Sequence, residues 1–351
     1  MELLNRIKHR KLTADVLSDM CRQIGVMAGA GITVAKAMEI LKNTTENKRI
    51  ANVYGALENR IKRGCPIGDS MEELGVFPEM AVNMFRAAEV SGQLEKTANN
   101  LSEHYRKEHR TKTQIKAATL YPKILCIMAI GIILFVFLVI MPMVEPLFYG
   151  AELPLITRIL MNISLFLQKD WYIVAAVLAM IVILEPIVLS FHCVKILFDK
   201  MILLIPVLGK QMRIIYTARF ARSLSGLYAS GVPMVISLEI ASRTLGNRYL
   251  EAQFMDVVRA VENGATMSHA IDSVKGFDKK LPAIIFVGEE TGKLDKMLLS
   301  LAESYEHESE IAINKIVSSI EPLMIIVIGV IVAVILLGIM VPMWSMYEYI
   351  G

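Results

Sequence analysis

Gly288–Tyr305 reads G-E-E-T-G-K-L-D-K-M-L-L-S-L-A-E-S-Y, and 200 residues earlier Ala88–Tyr105 reads A-E-V-S-G-Q-L-E-K-T-A-N-N-L-S-E-H-Y. Glu289, Gly292, Leu294, Lys296, Leu301, Glu303 and Tyr305 recur as Glu89, Gly92, Leu94, Lys96, Leu101, Glu103 and Tyr105. The same offset holds without a gap far outside this stretch. It pairs Gly31 with Gly231, Gly64 with Gly264, Phe77 with Phe277, Pro122 with Pro322, and Pro142-Met143 with Pro342-Met343. The chain is an internal duplication. In each copy Ser91-Gly92 or Thr291-Gly292 is expected to break one helix and start the next, the hydroxyl capping orphan amides and the glycine taking the bend. Leu94, Ala98, Leu101 and Tyr105 then share one helical face, as do Leu294, Leu298, Leu301 and Tyr305. Glu89 and Glu289 are acids beside an apolar run. They are candidates for an interface, or for acceptors of the orphan amides of the helix that follows.

Outward from this stretch, each copy reads as a bundle of about six amphipathic helices with short Gly- and Pro-punctuated loops and almost no alternating strand pattern. The turns at Gly31 and Gly231 are among the punctuation. The composition, 54% hydrophobic and 20% charged, is too apolar for an ordinary soluble protein and points to membrane segments. A net charge of +3 gives no argument for nucleic acid. Four scattered cysteines form no C-x-x-C pair and fit buried thiols in a reducing compartment. The N-terminal residues are polar, with a basic arm at Asn5–Lys11 suited to anionic lipid or to a solvated tail, and no cleavable signal peptide is expected.

Three apolar runs follow the bundles: Ile124–Val144, a second from Trp171-Tyr172 to Leu189 that contains Glu185-Pro186, and Leu323–Val341. Gly329 and Ala333 form a small-xxx-small pair in the last. Basic residues precede the first run and follow the second, and none follows the third, so the positive-inside rule places both bundles in the cytoplasm. The expected architecture is an all-α membrane protein. Residues 1–118 form the first cytoplasmic bundle, 119–144 a spanning helix, 145–170 an external loop and 171–190 a second span. Residues 191–318 form the second bundle, 319–342 the third span and 343–351 an external tail. The N-terminus is then cytoplasmic and the C-terminus external, in the plasma (inner) membrane. The helix ends of the two copies differ in charge: Glu303, Glu306, Glu308 and Glu310 stand where the first copy is basic, which suggests two different docking faces.

No phosphate-binding G-x-x-x-x-G-K-[ST], no H-E-x-x-H and no G-x-S-x-G is present, and the six histidines are scattered. No nucleophile–base set emerges, so the sequence argues against an enzyme, with no metal and no cofactor.

I-P-V-L-G-K (Ile205–Lys210, with Pro206 and Gly209), A-S-G-V-P-M (Ala229–Met234) and V-G-E-E-T-G-K-L (Val287–Leu294) together resemble the inner-membrane platform proteins of type II secretion, type IV pili and competence pseudopili. The resemblance covers nearly the whole chain and both copies. In the first copy Thr33 and Ala88 depart from it, where the second has Pro233 and Gly288. The resemblance implies a non-enzymatic platform that links a cytoplasmic hexameric assembly ATPase to pilin or pseudopilin subunits. Other inner-membrane assembly proteins, membrane lipid and further copies of the chain are its remaining expected partners. Glu89, Gly92, Glu289, Gly292, Gly31, Gly231, Pro206 and Gly209 are its candidate structural and partner-facing residues. Competing readings are a small secondary transporter with a duplicated half, disfavoured because the bulk of each repeat is soluble, and a receptor with tandem helical domains.

Overall fold

Asn47 and Asn247 each start a helix in the same way: the side-chain oxygen accepts from backbone amides of the first turn, Arg49 and Ile50 in one case and Leu250 in the other. The 200-residue offset of the sequence is thus an offset of structure. In the computed structural model, which describes residues 11–144, 146, 154–170, 172–173, 176, 180 and 192–350, the first copy comprises α1 (Ala14–Gly29), α2 (Val34–Thr44), α3 (Lys48–Lys62), α4 (Ile67–Leu74), α5 (Glu79–Ser91) and α6 (Leu94–Ala118). Next come α7 (Leu120–Phe135), a π-helical stretch Val136–Ile140, α8 (Met141–Val144) and α9 (Leu155–Lys169). After α10 (His192–Leu204), the second copy comprises α11 (Pro206–Ala229), α12 (Met234–Thr244), α13 (Arg248–Glu262), α14 (Met267–Asp272), α15 (Lys280–Thr291) and α16 (Leu294–Ile350). The protein is all-α, and no strand occurs among the described residues.

The chain divides into two units, Met1–Gln114 with Ile196–Ile313 and Ile115–Lys195 with Asn314–Gly351. The first unit holds both bundles, whose buried apolar residues form one contiguous cluster. Ala98, Leu101, Tyr105, Leu298, Leu301 and Tyr305 are all buried in it, as the shared face of their helices requires. In the second copy Phe220, Phe254 and Phe277 add a three-ring stack with centroids 5.0 to 5.8 Å apart. Thr33 and Pro233, where the copies differ, have nearly the same backbone angles (φ −64°, ψ 148° and φ −54°, ψ 143°), so the departure leaves that turn unchanged.

The I-P-V-L-G-K stretch is a corner between α10 and α11. Pro206 occupies the first turn of α11, where a missing N–H costs nothing. Gly209 lies against the carbonyl groups of Ile202 and Leu203, an approach that leaves no room for a Cβ. The segments Val194–Leu204 and Leu208–Ala229 meet at 113° and together are apolar enough to count as a broken span, but Phe220, Leu224 and Leu227 are buried in the core of the bundles.

Among the described residues, Leu94–Val144 and Leu294–Val341 are the unbroken helices long and apolar enough to cross a membrane. The final helix runs unbroken through 57 residues, so residues expected to form a tail after 342 are helical as far as Ile350. In the second unit the two apolar runs pack together, Cys126 Sγ lying 3.7 Å from Met324 Sδ and Ile339 packing against Phe137 and Met141. No neighbour approaches Gly329; the close approach is at Gly338, where Leu160 fills the space a Cβ would take. Residues 155–169, inside the stretch expected to be an external loop, form α9. Inside the run that ends at Val144, the amide of Met141 bonds the carbonyl of Val136, and Pro142 has no N–H to offer. The carbonyl of Phe137 is therefore free, and it accepts from Ser164 Oγ at 2.6 Å and from Gln168 Nε2 at 3.5 Å. At the equivalent place in the last helix, Pro342 has no N–H for the carbonyl of Gly338, and Thr157 Oγ1 donates to it at 2.7 Å. Both prolines of the repeat are thus answered from one face of α9. The basic arm before Lys11, the second apolar run with Glu185-Pro186, and most of the expected external loop outside α9 lie outside the described residues.

Replacing Gly209 by Ala should destabilise the detergent-solubilised chain by about 1–3 kcal/mol, the usual cost of a methyl group forced against a packed neighbour, and lower its unfolding midpoint accordingly. An unchanged midpoint would contradict the corner as described.

Candidate docking faces of the duplicated bundle

Gly92 and Gly292 end α5 and α15 in the left-handed conformation, with φ of 70° and 63°. In each case the next amide, of Gln93 or Lys293, donates back to the carbonyl of Ala88 or Gly288 at 3.1 Å, so the Ala-for-Gly difference leaves the turn intact. Gly31 and Gly231 end α1 and the first helix of the second copy likewise, at φ 77° and 80°. The hydroxyl of Thr291 does not cap the following helix as expected. It donates backwards to the carbonyl of Val287, and the positive-φ glycine makes the break.

Glu89 and Glu289 do accept orphan amides, but those of an earlier helix. Glu289 takes Met267 N at 2.6 Å and Ser268 N at 3.0 Å, and Glu89 takes Ile67 N at 2.8 Å. These are the first amides of α14 and α4. The residues before them, Thr266 and Pro66, supply no side-chain cap of their own. Each glutamate therefore caps, from a neighbouring helix, a short helix that lacks a cap. The candidate site residues fall into three local devices of this kind: capping carboxylate, glycine turn and proline corner. They are not gathered at one place.

What the sequence reading missed is the seam between the copies. Helix α5 of the first copy lies on α11 and α12 of the second. Met80, 3% exposed, sits against Gly226, where a Cβ would come within 3.3 Å of its Cε. Beside it Glu79 takes both of its bonds from Arg243 Nη1, at 2.8 and 2.9 Å. Further along, Lys107 reaches Glu306 at 2.8 Å and Glu103 at 3.1 Å, and Arg222 pairs with Glu306 and stands 3.7 Å from Glu103. Two cations and two carboxylates, one of each from either copy, alternate across the seam. Burial, reinforced by Glu103, Glu303 and Glu310 and opposed by Arg222, pushes the Glu306 carboxyl up to about 7. Burial also holds His104 beside this network down to about 4, and so neutral.

The seam works in one direction only. At the equivalent positions the offset gives Lys280 for Met80, Val26 for Gly226, Lys279 for Glu79 and Asn43 for Arg243. Knob, socket and ion pair are all missing from the reverse arrangement. Those inverted positions were the available sequence signal, because they break chemistry where the register holds. The acidic cluster expected to form a docking face is partly internal, since Glu306 turns to the other copy while Glu303 and Glu310 stay exposed. One-way docking leaves two unlike faces open. On the first copy Arg22 and Val26 are exposed, the latter by 67%. On the second, α15 presents Ala283, Phe286, Val287 and Glu290 toward solvent, where the first copy has Arg86 tied to Asp69 and Glu72. No group of three metal-ligating side chains occurs among the described residues.

The profile of the family described as type II secretion system (T2SS), protein F, matches this chain twice, over residues 20–142 and 220–342, with the 200-residue offset seen in the structure. The chain belongs to that family. It is 30% identical over 328 residues to the type IV pilus assembly protein PilC of Myxococcus xanthus, covering 93% of this chain and 79% of that one. To the type IV pilus assembly protein PilC of Thermus thermophilus it is 30% identical over 338 residues, covering 94% and 82%. To the type II secretion system protein F of Aeromonas hydrophila it is 28% identical over 350 residues, covering 97% and 89%. Each family match covers most of one bundle and the apolar helix that follows it.

The capping geometry orders the effects of three substitutions. Glu289→Ala leaves two amides without their acceptor and should cost about 1–3 kcal/mol; Glu289→Gln keeps one carbonyl and should cost less; Glu89→Ala removes a single bond and should also cost less. Thermal unfolding of the full chain in detergent measures all three. Unchanged melting of both Glu289 variants would contradict a capping role.

Proposed function

We propose that the chain is the non-enzymatic membrane platform of a filament-assembly machine: a type IV pilus, a type II secretion pseudopilus or a competence pseudopilus. In this reading it couples a cytoplasmic hexameric assembly ATPase to the insertion of pilin-like subunits. The observation that carries it is the unbroken helix Leu294–Ile350, which begins at the Gly292 turn of a bundle and continues through an apolar run long enough to cross a membrane. A helix is stiff along its axis, and a force applied to the bundle has no loop in which to dissipate. Family membership and relatives named for pilus assembly and for type II secretion support the same reading. The one-way seam makes the two bundles a single body with two unlike open faces, which suits unlike partners: the ATPase on one and another inner-membrane assembly protein, or a further copy, on the other.

Both bundles are cytoplasmic in this proposal. The N-terminus lies with them, the second apolar run returns the chain across the membrane, and the C-terminus is external. Free energy comes from ATP hydrolysed by the partner. The purified full chain in nanodiscs is therefore expected to bind its cognate assembly ATPase and to hydrolyse no ATP alone, and one of Phe286→Glu and Val26→Glu, but not the other, should weaken that binding without lowering the melting temperature. Hydrolysis that persists in the isolated chain after removal of contaminants, or an ATPase that does not bind, would contradict the proposal.

A further inference from the structure

Helix α9 has three distinct sides. Thr157, Leu160 and Ser164 face the two apolar runs and are buried. Leu155, Ile159, Ile163 and Phe166 point away from them and are exposed by 41–73%. Arg158, Asn162 and Lys169 are also exposed, in a polar strip along one flank between the other two. In water the apolar side would be a liability on a helix of only 15 residues.

The inner side explains what α9 is for. Pro142 and Pro342 leave the carbonyls of Phe137 and Gly338 without a helical partner, inside runs that contain no charge. Hydrocarbon has no water to satisfy such a group, and a bare carbonyl there is costly. Ser164, Gln168 and Thr157 supply the missing donors. Phe137 and Gly338 lie seven and three residues before the ends of their runs at Val144 and Val341. At the helical rise this is about 5–10 Å inside the apolar layer. That depth is where a helix with one apolar side and a basic-polar flank rests in a bilayer.

We infer that Leu155–Lys169 is seated in the membrane interface, clasping the two proline-interrupted runs on one side and meeting lipid on the other. Its occupant is the acyl-chain and headgroup boundary of the bilayer. Like the outward residues of α9, many apolar residues of the runs it clasps are exposed, among them Ile130, Phe135, Val330 and Leu337, and Arg158 and Lys169 are placed to extend toward phosphate groups. The inference rests on the membrane-spanning reading but not on the partners proposed above.

Photo-crosslinking from a benzoylphenylalanine incorporated singly into the full chain in native membranes tests it. Positions 159 and 163 report on α9, Val330 on an exposed part of the last run, and Val90 on an exposed bundle surface. Lipid adducts at 159, 163 and 330, with none at 90, are expected. Lipid adducts at 330 but not at 159 or 163 would overturn the inference and leave the span intact, whereas failure at 330 as well would overturn the span itself. Adducts at 159 and 163 predominantly to protein, whether a second copy or a pilin-like subunit, would also overturn it, because the outward side would then be a protein interface.

Discussion

Glu306 is held between Lys107 of the first copy and Arg222 of its own, and this junction, with Met80 seated on Gly226, makes one body out of two bundles. The parts contribute unequally. Burying a methionine side chain stabilises by about 1.5–3 kcal/mol. The Glu79–Arg243 pair has both side chains nearly half exposed and is worth at most about 1 kcal/mol. The inner network is more shielded, and Glu306 sits among other carboxylates at a desolvation cost that Arg222 opposes without cancelling, so its carboxyl stays raised. The apolar contact therefore supplies most of the attraction, while the charges select the partner surface and its direction. A larger side chain than Gly226 would crowd the tip of Met80, and without Met80 there is no knob to seat there.

Duplication produced two bundles with the same helices, and divergence at a handful of positions made their association asymmetric. A symmetric pairing would have hidden the same face on both copies. The one-way seam instead leaves Arg22 and Val26 exposed on one and Phe286 and Val287 exposed on the other. In the platform role proposed above this asymmetry would be useful: two different partners could bind one element, and each bundle leads into its own apolar helix.

The helices, their turns and the doubling were legible in the sequence, because Gly92 and Gly292 act locally and apolar faces repeat with the helical period. Glu289 was legible as an acceptor but not as to whose, since the amides it caps lie 21 and 22 residues back and reach it only through packing. The seam was hidden because Met80 and Gly226 are ordinary residues alone and gain meaning only beside Lys280 and Val26. Helix α9 resembles loop in the sequence because its apolar residues face both the clasped runs and the outside. Its polar residues Thr157, Arg158, Asn162, Ser164, Gln168 and Lys169 do recur with the helical period, but they are split between the clasped side and the outer flank. The repeat of Pro142 at Pro342 was visible, while the hydroxyls that answer the two prolines sit in that loop-like segment.

The central claim is that the two copies form one body through a directional seam. Distance distributions between spin labels introduced as unnatural amino acids at the exposed positions Glu46 and Asp256, in the full chain in nanodiscs, test it most directly. A single narrow distribution is predicted for the otherwise native chain, and a broad one once Met80→Lys and Lys107→Glu remove the knob and reverse the charge. A broad distribution in the native chain, or an equally narrow one in the double variant, would contradict the account.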